Sequence, residues 1–262
     1  MVYGSWAGMS FWWADSGLQG EAASAFASLE SVFALTGECI SRDPVSEVRL
    51  VEYNGQRYYV KRYVENGRSI YRRWFGLRQW LVSPLVQVEW QNLLAFRKWG
   101  IPTARLVAYG IERRYGGFRR GVLVTEEIRD TSSLAYLAQE NDARLRDRTW
   151  LSQVSTQLAR LTRRMHEASF AHNDLKWRNL LVTNGESPMI FVIDCPNGRF
   201  WWGPFLRYRI VKDLACLDKV AKHCLTRTQR LRFYLDYAGR MRLSVDDKQR
   251  VRRIVKFFEG RE

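Results

Sequence analysis

The residues of this chain best equipped to do chemistry together lie in one short run, His172-Asn173-Asp174-Leu175-Lys176-Trp177-Arg178-Asn179, with Phe191-Val192-Ile193-Asp194 a few residues on. The run follows a segment in which Leu151, Val154, Leu158, Leu161 and Met165 recur at helical spacing. Two short apolar strands are expected next, over 180–183 and 190–193, around the turn 184–188. Such a hairpin would return Asp194 to the loop that carries Asp174 and Asn179. Two carboxylates and an amide converging on one point make a hard, oxygen-rich site, suited to Mg²⁺ bearing phosphates. Lys176 would add positive charge for a phosphoryl group in transfer. The structural alternative for Asp174 and Asn179 is an Asx network that only stabilises a turn.

Upstream, the strongest local signal is Asn54-Gly55 between two β-rich runs, 47–53 and 56–63, the combination preferred in a type I′ hairpin turn. Lys61 then stands near the far end of the second strand, with Val60 and Arg62 on the opposite face. Residues 61–78 are basic and aromatic. A helix is expected over 85–99, with Val86, Trp90, Leu93 and Leu94 on one face, Glu89 inside it, and Gly100 and Pro102 as the stop. Strands are expected over 106–111 and 121–128, and a short helix over 20–35. The second half reads as mostly helical. A helix resumes over about 212–224, and Thr226 and Ser244 are N-cap candidates for two more, Ser244 and Asp247 having capping-box spacing.

Composition sets outer limits. The chain has 262 residues, 46% of them hydrophobic, which excludes wholesale disorder. Forty-two Lys and Arg against 27 Asp and Glu leave a formal net charge of +15, a field that draws anions: nucleotides, nucleic acid, phosphorylated glycans or anionic lipid headgroups. Eleven Trp and 12 Tyr fit a nucleic-acid, sugar or membrane-interface surface equally well. Cys39, Cys195, Cys216 and Cys224 form no CxxC pair and no zinc spacing with the three histidines, so free thiols in a reducing compartment are expected. Phe11-Trp12-Trp13 lies near the start, with neither a basic segment ahead of a long apolar run nor a small-residue cleavage site, and no run approaches the ~20 apolar residues of a membrane span.

His-x-Asp-x-x-x-x-Asn, followed by an acid after an apolar strand, resembles the catalytic and metal-binding loops of the protein-kinase-like superfamily. The order of other parts agrees. Val60-Lys61 looks like the strand lysine that grips the α- and β-phosphates, Glu89 like its helix partner, and Thr125-Glu126-Glu127-Ile128 like the hinge whose Glu126 and Ile128 offer backbone groups to adenine. A lone lysine or glutamate at such positions is usually just a solvated charge; their order in the chain is what favours function. More narrowly, Glu89-Trp90-Gln91, Gly100-Ile101-Pro102-Thr103, the Thr125 segment and Val211-Lys212-Asp213-Leu214-Ala215-Cys216-Leu217 resemble the lipopolysaccharide kinase (Kdo/WaaP) family.

That resemblance implies an α+β, protein-kinase-like fold of two lobes. Residues 1–35 would be a partly helical N-terminal extension, 36–128 a small β-rich N-lobe and 129–262 a larger helical C-lobe, with the active site in the cleft. It implies an ATP- and Mg²⁺-dependent phosphotransferase acting on a heptose or Kdo hydroxyl of lipopolysaccharide inner core. Asp174 would be catalytic base, helped by Lys176, with Asn179 and Asp194 on the metal. His172 and Asp213 would support the loop. Arg199, Trp201, Trp202 and Arg207, in the stretch 198–209, would face the acceptor, although the aromatics there could equally pack on the helical lobe. The partner implied is an anionic glycolipid, reached from the cytoplasm with peripheral contact at the inner membrane. A nucleic-acid partner, suggested only by charge and aromatics, is not expected. A protein kinase and a catalytically silent scaffold are the competing readings; intact Lys61, Asp174, Asn179 and Asp194 argue against the scaffold. Two departures stand out: no G-x-G-x-x-G precedes Lys61, and Cys195-Pro196 follows Asp194 in place of Phe-Gly.

Overall fold

The computed structural model describes residues 8–65 and 83–260. Most of the basic, aromatic stretch 61–78 therefore lies outside the described residues. The chain divides into two units, one comprising residues 1–95 and 104–128, the other residues 96–103 and 129–262.

The first unit is built on a six-stranded antiparallel sheet of order β1-β5-β6-β4-β3-β2. Its strands are β1 (Gly8–Ala14), β2 (Glu38–Arg42), β3 (Ser46–Tyr53), β4 (Gln56–Val64), β5 (Leu106–Arg114) and β6 (Gly117–Glu126). Asn54 and Gly55 close the β3–β4 hairpin at φ 52° and 71°, the left-handed pair a type I′ turn requires. Period-2 alternation along β4 then sorts its side chains. Val60 joins Val107, Val122, Val124 and Phe26 in the core beneath α1 (Gly20–Ala25) and α2 (Leu29–Ala34). Arg62 is buried on the same side, where its guanidinium donates to the carbonyls of Val32 (2.7 Å) and Leu35 (2.6 Å) at the end of α2. Lys61 and Tyr63 take the opposite face, toward α3 (Leu85–Lys98).

The expected helix over 20–35 is two short ones, broken by a Ser28–Ser31 capping box that starts α2. Residues 8–14, within the expected N-terminal extension, form the edge strand β1, paired with β5 from Gly8↔Arg114 to Ala14↔Ala108.

The second unit is helical around α5 (Arg148–Glu167), α6 (Gly203–Cys224), α7 (Arg227–Ala238) and α8 (Val245–Val255), with α4 (Leu134–Gln139) ahead of them. Its core draws Ala159 from α5, Val211, Leu214 and Ala215 from α6, Tyr234 and Tyr237 from α7 and Ile254 from α8. Short strands β7 (Thr131–Ser133), β9 (Leu180–Thr183) and β10 (Ile190–Val192) form one small sheet, and β8 (Phe170–Ala171) with β11 (Arg199–Phe200) another. Helix α6 begins nine residues before the expected 212, because Gly203-Pro204 supplies a proline start. Thr226 and Ser244 each complete a capping box, with Gln229 and Asp247. The unit also carries a partly open pocket of about 430 Å³ between α5, α6, α7 and α8, lined mostly by apolar side chains.

Candidate active site

In the first unit, the Lys61 ammonium lies 3.0 Å from Glu89 Oε1. The other carboxylate oxygen accepts from the Tyr63 hydroxyl at 2.6 Å. Tyr63 is two residues from Lys61 on the same strand face, so β4 supplies both partners of the one acid on α3. Glu89 is buried, and so nearly is its cation; a buried charge is tolerated only when paired in this way. Burial, and then the Glu89 charge, push the Tyr63 phenol well above its ordinary value and keep it a donor. At the end of β6, the Glu126 N–H donates to the Arg105 carbonyl and the Glu127 N–H to the Arg57 carbonyl, both at 2.9 Å. Arg105 pairs with the Glu126 side chain (3.3 Å) and Arg57 with that of Glu127 (3.0 Å), so both carboxylates are held beside their own strand. Ile128 closes the unit.

In the second unit, the loop after β8 is hung on a single buried acid. Asp213 of α6 is fully inaccessible and accepts the backbone N–H groups of His172 and Asn173, each at 2.8 Å. His166 Nε2 approaches the same carboxylate at 3.4 Å, and its Nδ1 meets the Tyr237 hydroxyl at 2.8 Å. Asn173 adopts a left-handed φ of 64° and donates its amide to the carbonyls of Ala171 and Asn197. The His172 ring is fully buried and stacks near the Phe96 ring at 6.2 Å. Burial pushes its pKa down, against the charges of Asp213, Asp174 and Asp194, which favour the cation. Burial thus favours the neutral ring.

Asp174 follows directly. Its Oδ1 lies 2.6 Å from the Lys176 ammonium and its Oδ2 3.3 Å from the Arg178 guanidinium. Burial alone would push the carboxyl up; the hydrogen bond and charge of Lys176, and then Arg178, outweigh it and hold the group below the ordinary value. Asn179 is buried, and its Nδ2 donates to the Asp174 carbonyl at 2.9 Å, which leaves the oxygen end of the amide as the one suited to a cation. The Ile193 N–H donates to the Asn179 carbonyl at 3.0 Å, pinning the exit of β10 to the loop. Asp194 comes next, at a left-handed φ of 58° that a non-glycine residue rarely holds without a local reason. Trp177 anchors the loop from below, its indole donating to the Leu217 carbonyl at 2.9 Å.

Among the described residues, no group of three or more His, Cys, Asp and Glu is placed to hold a metal. Asn179 and Asp194 nonetheless suit Mg²⁺, which takes one or two protein oxygens and completes its shell from phosphate and water. None of the four cysteines forms a disulfide.

The segment expected to face an acceptor is tied to the same loop, since β11 pairs with β8 through Arg199↔Ala171 and Phe200↔Phe170. Arg199 spends its guanidinium on the Pro196 and Gly198 carbonyls. Trp201 is half-buried with the Arg209 guanidinium 4.5 Å over its ring, while Trp202 and Arg207 are exposed. Sequence reasoning did not single out Tyr63, Asn173, Arg178 or Trp177. Tyr63 alone carried a usable signal, its two-residue offset from Lys61 on a strand.

A family model described as the lipopolysaccharide kinase (Kdo/WaaP) family matches residues 37–237, most of the chain and all the site residues above. The chain belongs to the lipopolysaccharide kinase family. Among solved structures, a WaaP protein captured in complex with acyl carrier protein is similar over 88% of this chain and 90% of its own, with a TM-score of 0.69 and 24% sequence identity. That likeness establishes the kinase-like fold, a β-sheet N-lobe followed by a helical C-lobe. No curated protein matches the sequence. As a lipopolysaccharide kinase family member, the chain is a phosphotransferase by family. Among its described residues no helix is long and apolar enough to cross a membrane.

Proposed function

We propose that this chain transfers the γ-phosphoryl group of ATP to a heptose or Kdo hydroxyl of the lipopolysaccharide inner core. The observation that carries the reading is the Asp174–Lys176–Asn179 loop suspended from buried Asp213, in a chain that also holds a buried Lys61–Glu89 pair. Lys61, fixed by Glu89, grips the α- and β-phosphates, and Glu126 and Ile128 offer backbone groups to adenine. Magnesium held by Asn179 and Asp194 would neutralise phosphate charge. Asp174 receives the acceptor hydroxyl and orients it. A carboxylate held below its ordinary pKa is a weak base, which suits a loose transition state in which the proton leaves late. Lys176 bridges Asp174 to the phosphoryl group in transfer, so positioning and charge supply the catalysis without a covalent intermediate.

Trp202 and Arg207 are the acceptor-facing candidates that remain outward. Trp201, whose indole N–H is buried and whose ring lies under Arg209, supports these two from beneath. Arg199 shapes the loop that presents them. The acceptor is lipid-linked, so the protein works from the cytoplasm at a membrane surface. An acyl carrier protein is a second candidate partner, because the 430 Å³ pocket between Leu158, Leu214, Leu217 and Tyr234 has the size and lining an apolar chain requires. An acylated carrier retained through purification would establish it.

The test is incubation with labelled ATP, Mg²⁺ and dephosphorylated lipopolysaccharide core. Label in the glycolipid, absent with Asp174→Ala, is the expected result. Label only on protein would favour a protein kinase, the reading that the Asp-Leu-Lys-x-x-Asn pattern also permits. No transfer despite Mg-ATP binding would point to another acceptor.

A further inference from the structure

The first turns of α6 carry aromatic surface that runs on past the acceptor candidate Trp202, through Phe205 and Tyr208, which the catalytic reading does not use. Trp202, Phe205 and Tyr208 recur at i, i+3 and i+6, one helix face, and remain 73%, 71% and 49% exposed. Phe200, 48% exposed, precedes them. Tyr208 continues the surface to Phe257 beyond α8, ring centroids 5.7 Å apart. Side chains left nearly three-quarters exposed project as knobs and do not line a groove.

The charge around them has one sign along the chain. From Cys195 to Lys212 there is no acidic residue, and Arg199, Arg207, Arg209 and Lys212 are interleaved with the aromatics. Arg209 lies over both the Trp201 ring (4.5 Å) and the Tyr208 ring (5.6 Å), which holds a cation against the aromatic surface. Asp213, the next acid, is buried under the catalytic loop and contributes nothing to this face. On α8 and just beyond it, Arg253 and Lys256 are exposed near Phe257; Glu259 is the nearest acid in that segment.

We propose that the Trp202–Phe205–Tyr208 face of α6 is a docking surface for an anionic lipid bilayer. It rests on the reading of the acceptor as a glycolipid and adds to that reading the surface that meets the membrane. Projecting Trp, Tyr and Phe side chains settle at the headgroup–acyl boundary, where an apolar body and a polar tip are both satisfied. Arg207, which is exposed, and Arg209, held over the rings, meet anionic headgroups. Because β11 joins this segment to the strand before Asp174, docking would bring a lipid-borne acceptor to the loop that phosphorylates it.

The test compares the full-length protein with a Phe205→Ser/Tyr208→Ser variant, both residues being outside the catalytic and acceptor sets. Flotation is measured with phosphatidylcholine vesicles with and without phosphatidylglycerol. The wild type should float with the anionic vesicles and not with the neutral ones. The variant should partition about tenfold more weakly, with unchanged melting temperature and ATP affinity. Its transfer to a soluble, de-acylated core acceptor should match wild type, while transfer to the same glycolipid in vesicles should fall. Equal flotation of variant and wild type, or no flotation of either, would overturn the proposal and leave the face to a protein partner. Equal loss on soluble and vesicle-borne acceptor would also overturn it, by placing Phe205 and Tyr208 in the acceptor site. Failure of transfer by the wild type on both acceptors would count against the kinase reading alone, since flotation decides the docking surface independently.

Discussion

Glu89 is held from two sides, by the Lys61 ammonium and the Tyr63 hydroxyl, and neither oxygen of this buried carboxylate is left to solvent. Removing the phenol would leave an ionised acid short of one strong donor. Tyr63→Phe should lower unfolding free energy by about 1.5–3 kcal/mol, the range for hydrogen bonds to charged groups, and weaken Mg-ATP binding several-fold. Denaturant titration and calorimetry read the two effects separately; unchanged nucleotide affinity would mean that Lys61 does not need this support. At this scale the sequence offers a reading where residue type and spacing jointly constrain chemistry, as with the proposed site residues Asp174, Asn179 and Asp194. It was silent on Asn173 and Arg178, whose contributions depend on a left-handed backbone and on a side chain folding back over four residues. Neither has a pattern that type and spacing alone distinguish from an ordinary surface residue.

The elements that position these residues depend on a few close approaches. A Cβ at Gly110 would collide with the Phe11 carbonyl and the Trp12 ring, because β1 lies directly against β5 there. Gly110→Ala should therefore cost about 1–3 kcal/mol, as overpacked sites do, and thermal unfolding would measure it. On α8, Asp247 accepts from the Ser244 hydroxyl (2.7 Å) and backbone N–H (2.9 Å), with Tyr234 and Arg240 adding further donors. These contacts hold its carboxyl at about 2, well below the ordinary carboxylate range. With the folded pKa depressed, the stabilisation is whole above the unfolded value and lost as pH falls from about 4 toward 2. Asp247→Asn should flatten that part of the acid-unfolding curve, and Ser244→Ala should cost about 1 kcal/mol at neutral pH. The β3–β4 hairpin, α5, the Thr226 cap and the Ser244–Asp247 capping box were legible because turn chemistry, period and caps agreed; the Thr226–Gln229 and Ser28–Ser31 boxes were not read. Strand β2, exposed along its whole length, had no alternation to read, and β1 exists as a strand only because β5 offers it an edge.

For the whole molecule, a charge of +15 should appear as salt dependence. Raising ionic strength from about 0.1 M to about 1 M shortens the Debye length from ~10 Å to ~3 Å. The acceptor KM should rise steeply over that range, and more than the ATP KM, because the proposed nucleotide ligands include the buried Lys61–Glu89 pair. Initial-rate kinetics at several salt concentrations would show it; parallel changes would assign the charge to solubility alone. The fold class was readable because the order lysine, glutamate, hinge, catalytic loop and metal acid runs through most of the chain. The division at residue 128 follows the end of β6. The grouping of residues 96–103 with the helical unit was not readable, since it arises from tertiary contacts that no local pattern encodes. The most direct test is transfer and Mg-ATP affinity measured side by side for wild type and Asp174→Asn. We expect transfer to fall about a hundredfold or more, with nucleotide affinity within a factor of about two because Asp174 acts on the acceptor. Retained transfer, or loss of transfer and affinity together, would contradict the assignment of Asp174 as the residue that orients the acceptor hydroxyl.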